Sequence, residues 1–315
     1  MTTPLPAPLC GIVPPLITPL SARDTLDVSG LERLLERVIG GGVHGLFILG
    51  TTGEGPSLSY RLRREVVERA CRQTAGRLPV LVGITDTAPA ESAALACYAA
   101  ERGAAAVVLA PPYYQHVAQA ELREYLNHLL PQLPLPLMLY NMPALTKVSF
   151  ELPTVSWAMQ QPRIVGIKDS SANMLYFQRL CGLAKQRSDW SVLMGPEELL
   201  ACAVAAGGHG GVNGGANMFP SLYTALYHAA HNGDAARTRE LWSLVLRVAE
   251  AIYGVGQYAS AGVKGIKCVL ACLGVCGGFL EEPFHAFRQP ERARIERHLA
   301  ELLPALESAL GAPAA

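Results

Sequence analysis

The chain has 315 residues, of which 50% are hydrophobic and 17% charged. That excludes a disordered or coiled-coil chain, and it leaves either one large α/β barrel with an appendage or two smaller domains. The 26 basic and 26 acidic residues cancel, so no nucleic-acid or polyanion partner is expected.

Taken in chain order, short apolar runs predict eight strands, at 12–18, 45–49, 79–84, 105–109, 135–140, 164–168, 191–194 and 209–213. The runs are continuous rather than alternating, as in parallel strands covered on both faces. Helical patterns lie between them. Leu31, Leu34, Leu35 and Val38 share one face at i, i+3, i+4, i+7 spacing, and segments 61–74, 90–102, 120–130, 151–160, 173–185, 197–206 and 221–231 follow. Gly or Pro marks most of the boundaries. Eight strand–helix units predict a (β/α)8 TIM barrel over residues 1–232. No G-x-G-x-x-G follows the first strand, which counts against a dinucleotide fold. Segments 235–253, 263–273 and 290–310 predict a three-helix C-terminal extension over 233–315.

Residues 1–10 carry neither the basic region nor the apolar run of a signal peptide. The uncharged run 199–233 is crowded with glycine around His209, Asn213 and Asn217, so it reads as a strand and loop rather than a membrane span. The eight cysteines include no C-x-x-C. Cys268, Cys272 and Cys276 share a helical spacing that would suit a metal face. The plainer reading is small buried thiols in a reducing, cytoplasmic compartment, with no metal site.

Only five of the basic residues are lysines: Lys147, Lys168, Lys185, Lys264 and Lys267. In a (β/α)8 barrel the functional side chains end strands or open the loops after them. Lys168 closes the apolar run Ile164-Val165-Gly166-Ile167. An amine there would be desolvated, which favours the neutral form needed for Schiff-base chemistry. The same lysine would serve as an interior residue paired with Glu54 or Asp169. Tyr140 ends strand five in Tyr140-Asn141-Met142-Pro143 and could shuttle a proton or simply pack. Gly50-Thr51-Thr52-Gly53-Glu54-Gly55 follows strand two and suits a small carboxylate, or is an ordinary turn. It lacks the ending of a phosphate loop. Of the adjacent Tyr113 and Tyr114 after strand four, at most one can serve the site, because neighbours point apart.

These loops together resemble those of the dihydrodipicolinate synthase/N-acetylneuraminate lyase family of class I, pyruvate-handling aldolases. The resemblance covers nearly the whole chain: Gly50–Glu54, Pro112–Tyr114, Tyr140–Pro143, Gly166–Lys168, the glycine run 207–217 and Gly265-Ile266-Lys267. It implies that Lys168 forms the imine with pyruvate or a 2-keto acid. Tyr140 would be the proton-shuttling phenol, with Thr51 relaying between it and Tyr114. Thr52 and Gly50 would hold the 1-carboxylate, and Val212 and Gly195 would touch substrate. Tyr114 would cross a dimer interface within a homotetramer built as a dimer of dimers. The imine on Lys168 makes a separate cofactor unnecessary, and the partners would be a 2-keto acid and an aldehyde.

Two positions separate the family's members. Leu145 stands where dihydrodipicolinate synthases carry the Arg that binds the aldehyde's carboxylate, and Lys147 is a poor replacement. Gly195-Pro196-Glu197-Glu198 resembles the lyase's Gly-x-acid-acid run, whose carboxylates accept from sugar hydroxyls; equally, Glu197 and Glu198 would suit the first turn of a helix. Gly214 and Gly215 replace the lyase's hydroxyl residues, while Gly55–Ser59 resembles 2-keto-3-deoxygluconate aldolases. The leading expectation is an aldolase or lyase acting on a sugar-derived 2-keto-3-deoxy acid. The alternatives are a dihydrodipicolinate synthase, a dehydratase on the same imine platform, or a silent ligand-binding relative.

Overall fold

The structure is a computed structural model that describes residues 3–311. The chain opens with β1 (Gly11–Ile12), then a two-stranded hairpin, β2 (Leu20–Ala22) and β3 (Thr25–Leu26). Strand–helix units follow: α1 (Val28–Gly40), β4 (Leu46–Ile48), α2 (Tyr60–Thr74), β5 (Val80–Gly83), α3 (Pro89–Glu101), β6 (Ala106–Leu109) and α4 (Gln119–Leu129). Next come β7 (Leu137–Asn141), the short α5 (Pro143–Thr146), α6 (Leu152–Ala158), β8 (Ile164–Asp169), α7 (Met174–Ala184), β9 (Ser191–Met194) and α8 (Leu200–Ala205). The barrel part ends with β10 (Gly210–Gly211) and α9 (Pro220–His231), and α10 (Ala235–Tyr253), α11 (Ala261–Cys272) and α12 (Gln289–Leu310) form the tail.

Eight parallel strands are ordered β1-β10-β9-β8-β7-β6-β5-β4. The chain after β1 closes the ring onto β4: Leu16 N–H donates to Phe47 C=O at 2.8 Å, and Phe47 N–H donates to Pro14 C=O at 3.0 Å. This is the (β/α)8 barrel that the apolar runs predict. The first strand is shorter than expected because Pro14 and Pro15 have no N–H to donate. The hairpin and α5 were outside the sequence expectation.

Each strand divides its residues between two apolar environments. Phe47, Leu81, Val108, Met138, Tyr140, Leu193 and Val212 meet inside the barrel, together with Leu9 from the N-terminal segment. Their neighbours Ile48, Val82, Leu109, Leu139 and Met194 pack outward against the helices. Both faces are buried, so the strands read as unbroken apolar runs. The helix stripe expected from Leu31 to Val38 is buried as a unit in α1, which Asp27 caps by accepting from Gly30 N–H at 2.9 Å. Leu241 of α10, Val269 of α11 and Leu306 of α12 belong to the same continuous core as the barrel's outer shell. Among the described residues no helix is long and apolar enough to cross a membrane.

Candidate active site

β7 and β8 set the site. Their register pairs Tyr140 with Lys168 and Asn141 with Asp169. Side chains alternate across a strand, so the first pair faces the barrel interior and the second faces away. The Lys168 ammonium lies 4.0 Å from the centre of the Tyr140 ring and 5.1 Å from that of Phe47. Lys168 is only 4% exposed. Among the described residues no carboxylate pairs with it. Asp169 is instead engaged by Asn141 Nδ2 at 2.8 Å and by Ser171 N–H and Oγ, and Glu54 is paired with Lys267. The interior ion pair that offered a purely structural role for Lys168 is absent.

The Tyr140 hydroxyl lies 3.3 Å from Thr51 Oγ1. Burial pushes the phenol up, but the Lys168 charge and the polar groups of Thr51, Lys168 and Ser170 around its oxygen outweigh that. The net shift is below the ordinary value near 10. Thr51 is carried by a loop that folds tightly back onto the end of β4. A Cβ at Gly50 would sit 2.6 Å from the Phe47 ring, and one at Gly55 would sit 2.2 Å from Leu49 C=O. Glycine is the residue that permits both approaches. Thr18 Oγ1 donates to Gly53 C=O at 2.7 Å, and Gly55 N–H donates to Gly50 C=O at 3.1 Å. Thr52, half-buried, shares the loop.

The loop's far end is locked to the tail. Glu54 is buried in a left-handed conformation, with φ of 56°. Its carboxylate pairs with Lys267 of α11 and accepts from Glu281 N–H at 2.9 Å. Lys267 also donates to Phe279 C=O at 2.7 Å. Burial pulls the Lys267 ammonium down, against the opposing pull of Glu54.

At the barrel mouth a cavity of about 230 Å³ has Gly50, Thr51, Thr85, Tyr113, Tyr140 and Leu145 among its walls. The wall contains no Asp, Glu, Lys or Arg. Of the two adjacent tyrosines it is Tyr113 and not Tyr114 that lines this cavity, and Thr85 was not expected from the sequence. A pair of adjacent tyrosines does not reveal which one turns inward, and Thr85 follows a strand with no motif around it. Tyr114 is 82% exposed and is not among the walls of this cavity within one chain. Val212 is buried in the barrel interior. Gly195 is packed so closely that a Cβ there would lie 1.9 Å from Ser170 Oγ.

Glu197 and Glu198 do not face this cavity. Glu197 is buried, and its carboxylate accepts from Tyr223 Oη at 2.5 Å, Tyr253 Oη at 3.0 Å and Gly215 N–H at 2.7 Å. Those three donors occupy it, leaving little capacity for a sugar hydroxyl. Burial pushes its carboxyl up to about 7. Glu198 is half-buried, and its C=O accepts from Trp242 Nε1 at 2.7 Å. Lys147 is exposed, at the left-handed end of α5. A larger groove, of about 750 Å³, lies outside the barrel between α1 and α2, but it is lined by no strand-end residue. Among the described residues no group of three or more His, Cys, Asp or Glu side chains is arranged to hold a metal.

The model of the dihydrodipicolinate synthetase family matches residues 8–302. The chain belongs to this family. It is an enzyme of the lyase type, from a family of class I pyruvate-dependent aldolases. A 4-hydroxy-tetrahydrodipicolinate synthase of Phenylobacterium zucineum is 32% identical over 288 residues, covering 90% of this chain and 94% of that one. The structure of dihydrodipicolinate synthase from Bacteroides thetaiotaomicron is 54% identical with a TM-score of 0.92, covering 94% of this chain and 99% of that one. The structure of YagE, a family member from Escherichia coli K12 in complex with pyruvate, is 29% identical with a TM-score of 0.87, covering 93% and 98%.

Proposed function

We propose that Lys168 attacks the ketone of pyruvate, or of a longer 2-keto acid, and that the resulting imine makes or breaks a C–C bond to an aldehyde. The observation that carries this reading is a buried lysine against Tyr140 with no carboxylate partner. Attack on the ketone carbon gives a carbinolamine, and loss of water gives the protonated imine. The imine draws electrons from the adjacent carbon, which releases a proton and leaves an enamine nucleophile. In the cleavage direction the same imine accepts the electron pair. Tyr140, with its depressed phenol and its contact to Thr51, carries protons to and from the carbinolamine oxygen. Thr52 and the Gly50 amide receive the keto acid's carboxylate. The electron sink is the imine itself, so this chemistry calls for no separate cofactor.

Tyr114 reaches the Thr51–Tyr140 pair only from a second subunit, and its exposure in one chain fits that role. This reading requires at least a dimer, and a homotetramer built as a dimer of dimers is the assembly that the family resemblance implies. All eight cysteines are free thiols, as suits a reducing, cytoplasmic setting.

For the aldehyde, the uncharged mouth with Leu145 favours a neutral, hydroxyl-bearing tail over an anionic one. A sugar-derived 2-keto-3-deoxy acid therefore remains the leading substrate class, supported by Leu145 and the hydroxyls of Thr85 and Tyr113 rather than by Glu197. A second reading, condensation of pyruvate with aspartate semialdehyde, is favoured by the 54% identical synthase structure.

Two experiments test these readings. Borohydride with pyruvate should add the reduced adduct to the peptide carrying Lys168; an adduct that persists in Lys168→Ala defeats the Schiff-base assignment. A panel of 2-keto-3-deoxy sugar acids, run beside pyruvate with aspartate semialdehyde, ranks the substrates. Faster turnover of the semialdehyde defeats the leading substrate class.

A further inference from the structure

The C-terminal helices enclose a second cavity, of about 370 Å³, with no wall residue in common with the one at the barrel mouth. It lies where α10 passes to α11, against the segment before α12. Its volume falls within the range of small-molecule sites.

Lys264, on the first turn of α11, lines this cavity and is only 7% exposed. Among the described residues its ammonium has neither a hydrogen-bond acceptor nor an ion-pair partner. Ser260 sits beside it at the N-cap of α11, 9% exposed, and its hydroxyl caps no backbone N–H. The corresponding residues of α1, α2, α7 and α10 all accept from their helix's first turn. Gln257, Tyr258, His285, Arg288 and Arg294 share the polar wall, Arg294 giving one donor to Val255 C=O at 3.2 Å. Glu291 is the only carboxylate there, and it accepts from Arg288 N–H at 3.1 Å. Ala261 N–H is given to Tyr258 C=O at 2.8 Å, which leaves the N–H groups of Gly262 and Val263 at the start of α11 to favour an anion in the same place. The Lys264 ammonium opens onto the cavity with no protein acceptor among the described residues, and an arriving anion would supply one.

We infer that this cavity is a second binding site, for a small multivalent oxyanion bearing phosphate or carboxylate groups, with Lys264 as its principal contact. The Ser260 hydroxyl and the α11 N-terminus supply directed donors, and the two arginines of the wall supply charge. The unspent donors are the basis of the assignment, since a lysine with only a structural role would have found an acceptor.

The test titrates the full chain with inorganic pyrophosphate and, separately, citrate at fixed ionic strength, by calorimetry and thermal melting. Saturable binding of either, with a rise in Tm, is the expected result, and which of the two binds assigns the phosphate or the carboxylate class. Lys264→Met should weaken binding about tenfold or more, and Ser260→Ala should weaken it less. Without anion, Lys264→Met should melt close to the parent or above it, because among the described residues the ammonium makes no hydrogen bond or ion pair to lose. It should still form the borohydride-trapped pyruvate adduct on Lys168. The inference is overturned if neither anion binds below ~10 mM, if Lys264→Met binds as tightly as the parent, or if that variant melts well below it.

Discussion

Lys168 and Lys267 are both buried, at 4% and 0% exposure. Lys267 is held by the Glu54 carboxylate and the Phe279 carbonyl, a paired ammonium fastening the loop to α11. Lys168 faces the rings of Tyr140 and Phe47, while the nearest candidate carboxylate, Asp169, points to the other side of the strand. Burial alone therefore does not make a lysine a nucleophile. A partner carboxylate and a carbonyl hold the Lys267 nitrogen in place, whereas the Lys168 nitrogen, against two rings, has no such partner among the described residues and is left available to a substrate.

That contrast can be broken by substitution. Lys168→Met should lower kcat by at least ~10⁴-fold with little change in Tm, because it removes the nucleophile and leaves no unpaired charge behind. Lys267→Met should do the reverse. It strands the buried Glu54, at a loss of about 3–5 kcal/mol in denaturant unfolding. Its folded fraction should still trap pyruvate on Lys168. If Lys267→Met abolished the adduct while leaving stability unchanged, the roles of the two lysines would have been read the wrong way round.

Tyr140→Phe should lower kcat by ~10²–10⁴-fold, the usual range for a lost proton-transfer group. The depressed phenol predicts a basic limb in the parent's pH–rate profile below pH 10. Thr51→Val removes one of the groups that lower it and should move that limb upward; a limb that stays in place counts against the relay.

Glu197 extends the comparison to a buried acid. Its carboxyl is raised from 4.5 to about 7, so the folded state holds the proton more tightly than the unfolded chain. The stability this supplies is fully present below pH 4.5 and is lost as pH rises through about 7. The loss is up to ~3 kcal/mol. Melting between those limits should show the decline, and Glu197→Gln should flatten it.

Much of this architecture is legible in the chain. Doubly buried strands leave unbroken apolar runs, and the stripe from Leu31 to Val38 leaves a helical period, so the barrel and its tail can be counted from the sequence. Lys168 and Tyr140 stand out because they interrupt such runs at their ends. Tyr113, Thr85 and the fate of Glu197 were not legible. Each depends on which way one side chain turns after its strand, and no local pattern records that. Glu197 is the instructive case. Its place after β9 suggests a sugar-binding acid, whereas Tyr223 and Tyr253 come from helices remote in sequence to occupy it.

Five lysines among 26 basic residues made each one worth tracing. By itself the sequence determined the fold, the family resemblance and the lysine at the end of a strand, because these follow from periodicity and short contiguous motifs. Only the tertiary structure decided how the buried lysines differ. Lys168 lies against rings, Lys267 against a carboxylate and Lys264 against an open cavity. A lysine's chemistry depends on the charge and solvent around its nitrogen, and residues far apart in the chain supply both.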